Sequence, residues 1–456
     1  MFSSITFIGS SVVVVLLAGY WAQKYLPPPK PKIVGIDLGT TFSCVSVYYA
    51  GSGRVEVIPD DKGRKTVPSI VAVMSKSQRL VGYDALEYSD HDPSRVLFDA
   101  KRFIGLHFNE EAFNKEKRRY PFRMWLNGTE AVYQVGNSNE TNDANKELNI
   151  RPEEISATVL MHLKKMAQKH LQVRTVEKAV ISVPAEFDEV RRNATVQAAA
   201  LAGLEVMRLI SEPTAAALAY GLHQKANVSS VIIYDLGGGT LDVSVLMIMG
   251  GMFLTRAIAG NNHLGGQDFN QNLLKFLLKI ARERYGRPVE DKGDMHALSM
   301  AVEQAKIALT SQLETTIQVS LVSFDQPVQF RYTITRPLFE QLNRSLFRRA
   351  LKPIEVALAD ADMRVEDVDE IVMVGGSTRI PKIRQVVSQY FNNKTLNCDI
   401  DPELAVAIGV GIQAGVMAQA WPIQVSATEI GTKFKKIHVY DDDNYDENDE
   451  DQNENH

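Results

Sequence analysis

Ile33-Val34-Gly35-Ile36-Asp37-Leu38-Gly39-Thr40-Thr41-Phe42-Ser43-Cys44-Val45-Ser46-Val47 is an apolar strand, a break at Asp-Leu-Gly-Thr-Thr, and a second strand. The same pattern returns as Val231-Ile232-Ile233-Tyr234-Asp235-Leu236-Gly237-Gly238-Gly239-Thr240-Leu241-Asp242-Val243-Ser244-Val245. Each stretch reads as a hairpin with a glycine-bearing turn. Two copies in register, about 200 residues apart, imply a duplicated domain with the two turns facing each other.

The residue types in these turns suit phosphate chemistry. Glycine lets the backbone approach a phosphate and aim N–H groups at its oxygens. Thr40, Thr41 and Thr240 add hydroxyls, and Asp37 and Asp235 put a carboxylate at each strand end, where it can hold hydrated Mg²⁺ or orient a water. A third turn, Ile371-Val372-Met373-Val374-Gly375-Gly376-Ser377-Thr378, ends a buried strand in two glycines. It can let a nucleoside lie against backbone, with Arg379 stacking on a base. Taken alone, it equally suits a tight strand-to-helix turn with Arg379 on the surface.

Between the turns the chain alternates strand and helix. Lys178 to Val183 reads as a strand, while 189–202, 300–310 and 403–418 read as helices, the last Ala/Gly-rich with Gly409, Gly411 and Gly415 permitting close packing. Ser211-Glu212-Pro213-Thr214 is a helix-start signature with Pro in the first turn.

Working outward, the 456 residues suffice for two or three domains. A 45% hydrophobic and 23% charged composition is ordinary for a globular chain. The net charge of −5 comes from the C-terminal stretch 441–456, which holds nine acids and no Lys or Arg and reads as a solvated tail. The nearly neutral body carries no basic excess that would suggest nucleic acid as a partner. Two cysteines, Cys44 and Cys398, exclude a disulfide scaffold and a CxxC metal site.

Residues 5–22 form an apolar run followed by Pro27-Pro28-Pro29. We read residues 1–22 as a signal peptide, or as an uncleaved anchor that would bring membrane contact, and 23–32 as a stiff spacer. Asn127-Gly-Thr129, Asn139-Glu-Thr141 and Asn393-Lys-Thr395 fit a glycosylated, lumenal protein.

Six blocks carry a family resemblance: Ile36 to Thr41, Asp99-Ala100-Lys101-Arg102-Phe103-Ile104-Gly105, Val183-Pro184-Ala185-Glu186-Phe187, Glu212-Pro213-Thr214-Ala215-Ala216-Ala217, Asp235 to Thr240, and Gly375-Gly376-Ser377-Thr378-Arg379-Ile380-Pro381. Together they resemble the ATPase domain of the 70-kilodalton heat-shock chaperones, over about residues 33–420, and most of all a microsome-associated member that consists of the ATPase core. The resemblance implies an α/β, duplicated actin-like (ribonuclease H-like) fold of two lobes, 33–227 and 228–421, with ATP or ADP and Mg²⁺ in the cleft between them.

It also implies roles. Asp37, Lys101, Glu212 and Asp235 match the catalytic set, of which Asp37, Glu212 and Asp235 approach the metal, mostly through water. Gly39, Thr40, Thr41, Gly237, Gly238, Gly239 and Thr240 match the phosphate loops, with Asp242 beside the second. Glu303 and Lys306 match the ribose contacts, and Gly375, Gly376, Ser377 and Arg379 the adenosine site. The family usually holds adenine between two arginines; here Ile307 follows Lys306, so one stacking face is lost, at about 0.5–2 kcal/mol.

The reading that follows is a slow chaperone-type ATPase of the secretory pathway, in the endoplasmic reticulum lumen or microsome, with secretion or membrane anchorage as alternatives, and with co-chaperones and nucleotide-exchange factors as partners. The expected tail, 422–456, has no room for the family's peptide-binding β-sandwich, so hydrolysis is expected to be independent of peptide. Two alternatives stay open: a nucleotide-switched adaptor with negligible turnover, and a sugar kinase of the same superfamily.

Overall fold

The computed structural model describes residues 14–17, 19, 30–75, 77–89, 91–136, 147–324, 326–419, 428–430 and 436–440. Most of the apolar N-terminal run, the triplet at Asn139 and the acidic stretch 441–456 lie outside these residues. No helix among the described residues is long and apolar enough to cross a membrane.

The first lobe is built on β1 (Ile33–Asp37), β2 (Phe42–Tyr49), β3 (Arg54–Val57), β4 (Lys178–Val183) and β5 (Glu205–Ser211), in the spatial order β5-β4-β1-β2-β3. β1 pairs antiparallel with β2 and parallel with β4. Its first four residues are buried, as expected for a central strand covered on both faces. Between and after these strands come helices α1 (Ala100–Phe103), α2 (Pro152–Leu171), α3 (Glu189–Leu201) and α4 (Glu212–Ala219). α2 begins with Pro152 at its first position and Glu153 and Glu154 in its first turn, where proline's missing donor costs nothing and negative charge meets the helix dipole.

The second lobe repeats the plan. Its strands β6 (Ser230–Leu236), β7 (Leu241–Met249), β8 (Met252–Asn261) and β9 (Glu370–Val374) run β9-β6-β7-β8. β6 pairs antiparallel with β7 and parallel with β9, as β1 does with β2 and β4. The duplication expected from the two hairpins is thus present in strand order and direction. Helices α5 (Gly266–Tyr285) and α6 (Lys292–Ala308) belong to this half, and α6 begins eight residues before the expected 300.

Two departures from the expected boundaries matter. Helix α7 (Ala405–Met417), placed by chain order in the second lobe, packs on the first sheet. Ser46 Oγ of β2 donates to Ala407 O at 2.6 Å, and Cys44 and Val57 cluster with Leu404 and Ala407. α7 has almost no polar side chains, so it must be covered on several faces, and its glycines let it lie against both β1 and α4. A Cβ on Gly409 would come within 1.8 Å of Ala215 O, and one on Gly35 within 2.6 Å of Gly411 N. Ala215 to Leu218, Val406, Val410 and Ala414 form one buried cluster with Val180 of the first sheet and Val231, Ile233, Val372 and Val374 of the second. The lobes are therefore joined through an apolar seam beneath the cleft.

The second departure is at the C-terminus, expected to be wholly a polar tail. β10 (Thr428–Ile430) and β11 (Lys436–Tyr440) pair parallel with β8 and extend the second sheet at its edge. His438 is paired with Asp360.

Candidate active site

Both aspartates stand where the sequence puts them, at the C-terminal ends of β1 and β6. Ser182 Oγ, from the neighbouring β4, donates to Asp37 Oδ1 at 2.7 Å. Glu212 opens α4, and Lys101 of α1 forms a hydrogen-bonded ion pair with it. Burial works against the Lys101 ammonium, yet Glu212 and then Asp37 hold it above its usual range. Burial, then Glu212, push Asp37 up to about 6, with Lys101 and the Ser182 hydroxyl opposing. Burial, then Glu212 and Asp37, push Asp235 up to about 7. The four groups named from sequence form one electrostatic unit drawn from four separate elements.

The glycine turns meet around this unit. A Cβ on Gly238 would lie 3.1 Å from Thr41 Oγ1, so the first and second turns face each other across the cleft. The Gly39 carbonyl accepts from Ser69 Oγ at 2.8 Å, and the Thr41 carbonyl from Ser69 N at 2.8 Å. The third turn lies on the second: Gly375 has φ +82°, and a Cβ there would come within 2.3 Å of Leu236 O and 2.6 Å of Asp235 Oδ1. Only glycine combines that dihedral with that approach. Ser377 Oγ donates to Gly237 O at 2.8 Å.

Glu303 and Lys306 join the same region from α6. Lys306 is buried and donates to Glu303 Oε2 at 2.8 Å and to Gly266 O at 3.1 Å. Asn270 of α5 hydrogen-bonds the same Glu303 oxygen. Arg379 stands at the rim, ion-paired with Asp401 and, at 3.6 Å, with Glu403. Ile307 is 50% exposed, so its side chain has room to be exchanged for a longer one. Ile307→Arg is expected to tighten adenine nucleotide binding by up to about tenfold if the new guanidinium stacks. Titration calorimetry checks this, and unchanged or weaker binding would show that Ile307 does not face the base.

The donor set fits a hard divalent cation. Asp37, Glu212 and Asp235 offer oxygen only, and their mutual repulsion is relieved by positive charge. Among the described residues no group of three or more His, Cys, Asp or Glu side chains is placed to hold a metal ion by itself. A pH dependence follows. Both aspartates bind protons more tightly in the folded chain than their ordinary value of 3.8, so ionising them costs folding stability as pH rises from about 4 through 7. Mg²⁺ with nucleotide should displace those protons. Calorimetry at pH 6.5 is expected to show a binding enthalpy that depends on buffer ionisation, and at pH 8.5 it should not. The same buffer independence at both values would contradict the cation assignment.

Further carboxylates and glycines complete the site; the sequence points to Asp242 beside the second turn, but not to Glu186 or to Gly265-Gly266. Asp235 and Asp242 are cross-strand partners on β6 and β7, and burial, then Glu186 and Asp235, drive Asp242 well above the usual carboxylate range. Burial likewise raises Glu186. Glu186, Glu212, Asp235 and Asp242 line one cavity with Pro184, Ile258 and Val374. In the sequence Glu186 stands within the Val183-Pro184-Ala185-Glu186-Phe187 block, and its place just past the end of β4, parallel to β1, is the signal that marks it. Gly265-Gly266 also packs on the second turn. Gly266 N donates to Gly237 O at 3.0 Å and Gln267 N to Gly238 O at 2.8 Å, while a Cβ on Gly265 would strike Gly239 N at 2.4 Å. A glycine pair three residues before Asp268, whose carboxylate caps Gly265 N at 2.7 Å, is a legible helix start.

The family model described as Hsp70 protein matches residues 33–427. The chain is 45% identical to heat shock 70 kDa protein 13 of Bos taurus over 95% of its own length and 98% of the relative's. It is 44% identical to the Homo sapiens and Mus musculus proteins of the same name, with the same coverage. Two like sheets, phosphate-type turns facing across a cleft, and a likeness that runs nearly end to end place this chain in the Hsp70 family, with that family's two-lobed actin-like ATPase core.

Proposed function

We propose that the chain binds Mg·ATP in the cleft and slowly hydrolyses it to ADP and phosphate. The observation that carries this reading is the Lys101–Glu212 pair lodged with Asp37 and Asp235 between two facing glycine turns. In this reading Gly39, Thr40, Thr41 and the Gly237–Thr240 turn hold the phosphates by N–H and hydroxyl groups. Glu303 and Lys306 meet the ribose, and Gly375, Gly376, Ser377 and Arg379 the adenosine. Asp37, Glu212 and Asp235 hold hydrated Mg²⁺, which when bound neutralises charge on the phosphates. Asp37 or Asp235 orients the attacking water, and Lys101 positions it and stabilises charge spreading over the transferring phosphoryl group.

Asp235→Asn is expected to slow hydrolysis on the order of 10²-fold while nucleotide binding survives. Thermal stability should hold or rise, because a charge directly opposite Asp242 is removed. Hydrolysis by the variant at the wild-type rate would show that Asp235 takes no part in the chemistry.

The finer setting belongs to the same proposal. Residue 127, and residue 393 with φ +59° just past a helix, are exposed asparagines in Asn-x-Thr triplets, as a glycosylated protein of the endoplasmic reticulum would present. Co-chaperones and nucleotide-exchange factors are the partner class. Hydrolysis is proposed to proceed without peptide stimulation. A saturable several-fold stimulation by an unstructured hydrophobic peptide would overturn that part.

A further inference from the structure

The three glycine carbonyls of the second phosphate turn are held from two different lobes. Gly237 O accepts from Gly266 N and Ser377 Oγ, and Gly238 O from Gln267 N, all within the second lobe. Gly239 O accepts from Arg102 Nη2 at 3.3 Å, a side chain of α1 in the first lobe. The same guanidinium donates through Nη1 to Asn262 O at 3.0 Å, just beyond β8. Its Nε lies 3.2 Å from Asp99 Oδ2, and Tyr120 Oη donates to that oxygen at 3.3 Å. A Cβ on Gly239 would lie 2.7 Å from Arg102 Nη2, so the guanidinium rests where any other residue's side chain would begin.

We propose that Arg102 is a positioning residue that couples closure of the two lobes to alignment of the second phosphate turn. In a trans peptide the carbonyl and the following N–H point in opposite directions. Holding Gly239 O therefore fixes the direction of the Thr240 N–H, a donor to phosphate in the reading above, on which this inference rests. If the lobes part, the Gly237 and Gly238 carbonyls keep their partners and the Gly239 carbonyl loses its own. The planar fork matters because one side chain must reach two carbonyls and a carboxylate at once, which a lysine ammonium does poorly. Another contact between the lobes, Arg119 Nη1 to His263 Nδ1 at 2.6 Å, is solvent-exposed and has no such grip on the turn.

The test uses the full chain and its Arg102→Ala, Arg102→Lys and Asp99→Asn variants, with single-turnover hydrolysis at saturating Mg·ATP and equilibrium affinity for Mg·ADP as readouts. Misalignment of a reacting donor should slow hydrolysis by about 10–100-fold in Arg102→Ala, with ADP affinity changed less than threefold. Arg102→Lys should recover part of the rate, and Asp99→Asn should show a smaller loss in the same direction. A wild-type rate in Arg102→Ala, or equal losses of rate and ADP affinity across the variants, would overturn the proposal. Should Arg102→Ala fail to fold, the lysine and Asp99 variants decide by the same criteria. If the unaltered chain binds Mg·ATP but turns none over, the hydrolytic reading fails, and the coupling is then read from the ratio of ATP to ADP affinity, which the variants must lower.

Discussion

Lys101→Met should lower single-turnover hydrolysis on the order of 10²–10³-fold, the cost of removing a preorganised positive group from a charge-developing site. The ion pair with Glu212 disappears and methionine supplies no donor. Lys101 also opposes the upward drift of both Asp37 and Asp235. Without it both carboxylates bind protons more tightly, so the acid limb of any residual activity should move to higher pH than in the wild type. A pH–rate profile separates this from a simple loss of fold. A variant with near wild-type turnover, or with an acid limb that does not move, would remove Lys101 from the chemistry.

Gly409→Ala is expected to destabilise the protein by about 3 kcal/mol or more. Glycine-to-alanine in a helix ordinarily gains about 1 kcal/mol from propensity. Here the added methyl would sit 1.8 Å from Ala215 O, a backbone atom of α4 that cannot rotate away. The clash therefore decides the sign. The strain falls on the seam joining both sheets, so the thermal midpoint should drop by several degrees and nucleotide binding should weaken with it. An unchanged midpoint in calorimetry would mean that α7 and α4 separate more easily than their packing implies.

The parts of the fold that were readable in advance are those written in local pattern. Strand, Asp-Leu-Gly, Thr, strand is a hairpin at both of its occurrences here, and its recurrence marks both the duplicated sheets and the carboxylates at their ends. The α7 segment was legible as a close-packing helix but not as one that returns to the first sheet, because glycine spacing says how near a neighbour comes and not which neighbour it is. Thr428–Ile430 is too short to carry a pattern, and Lys436–Tyr440, although Lys436-Ile437-His438-Val439 alternates polar and apolar residues, does not say which edge it joins; both pair with the open edge of β8. The sequence assigns Arg102 no role, since its partners are the carbonyls of Gly239 and Asn262, 137 and 160 residues away. Backbone carbonyls leave no mark in sequence. Glu186 is hidden for a related reason: a single glutamate after Pro-Ala looks like surface charge until β4 sets it beside Asp242 and Glu212.

The most direct measurement is single-turnover hydrolysis of γ-labelled ATP by the purified full chain, with and without Mg²⁺ and with no sugar or other acceptor present. The account expects one equivalent of phosphate to appear per chain, slowly and only with Mg²⁺, with ADP left in the cleft. Tight binding of ATP with no phosphate released, or release that needs an added hydroxyl acceptor, would contradict it.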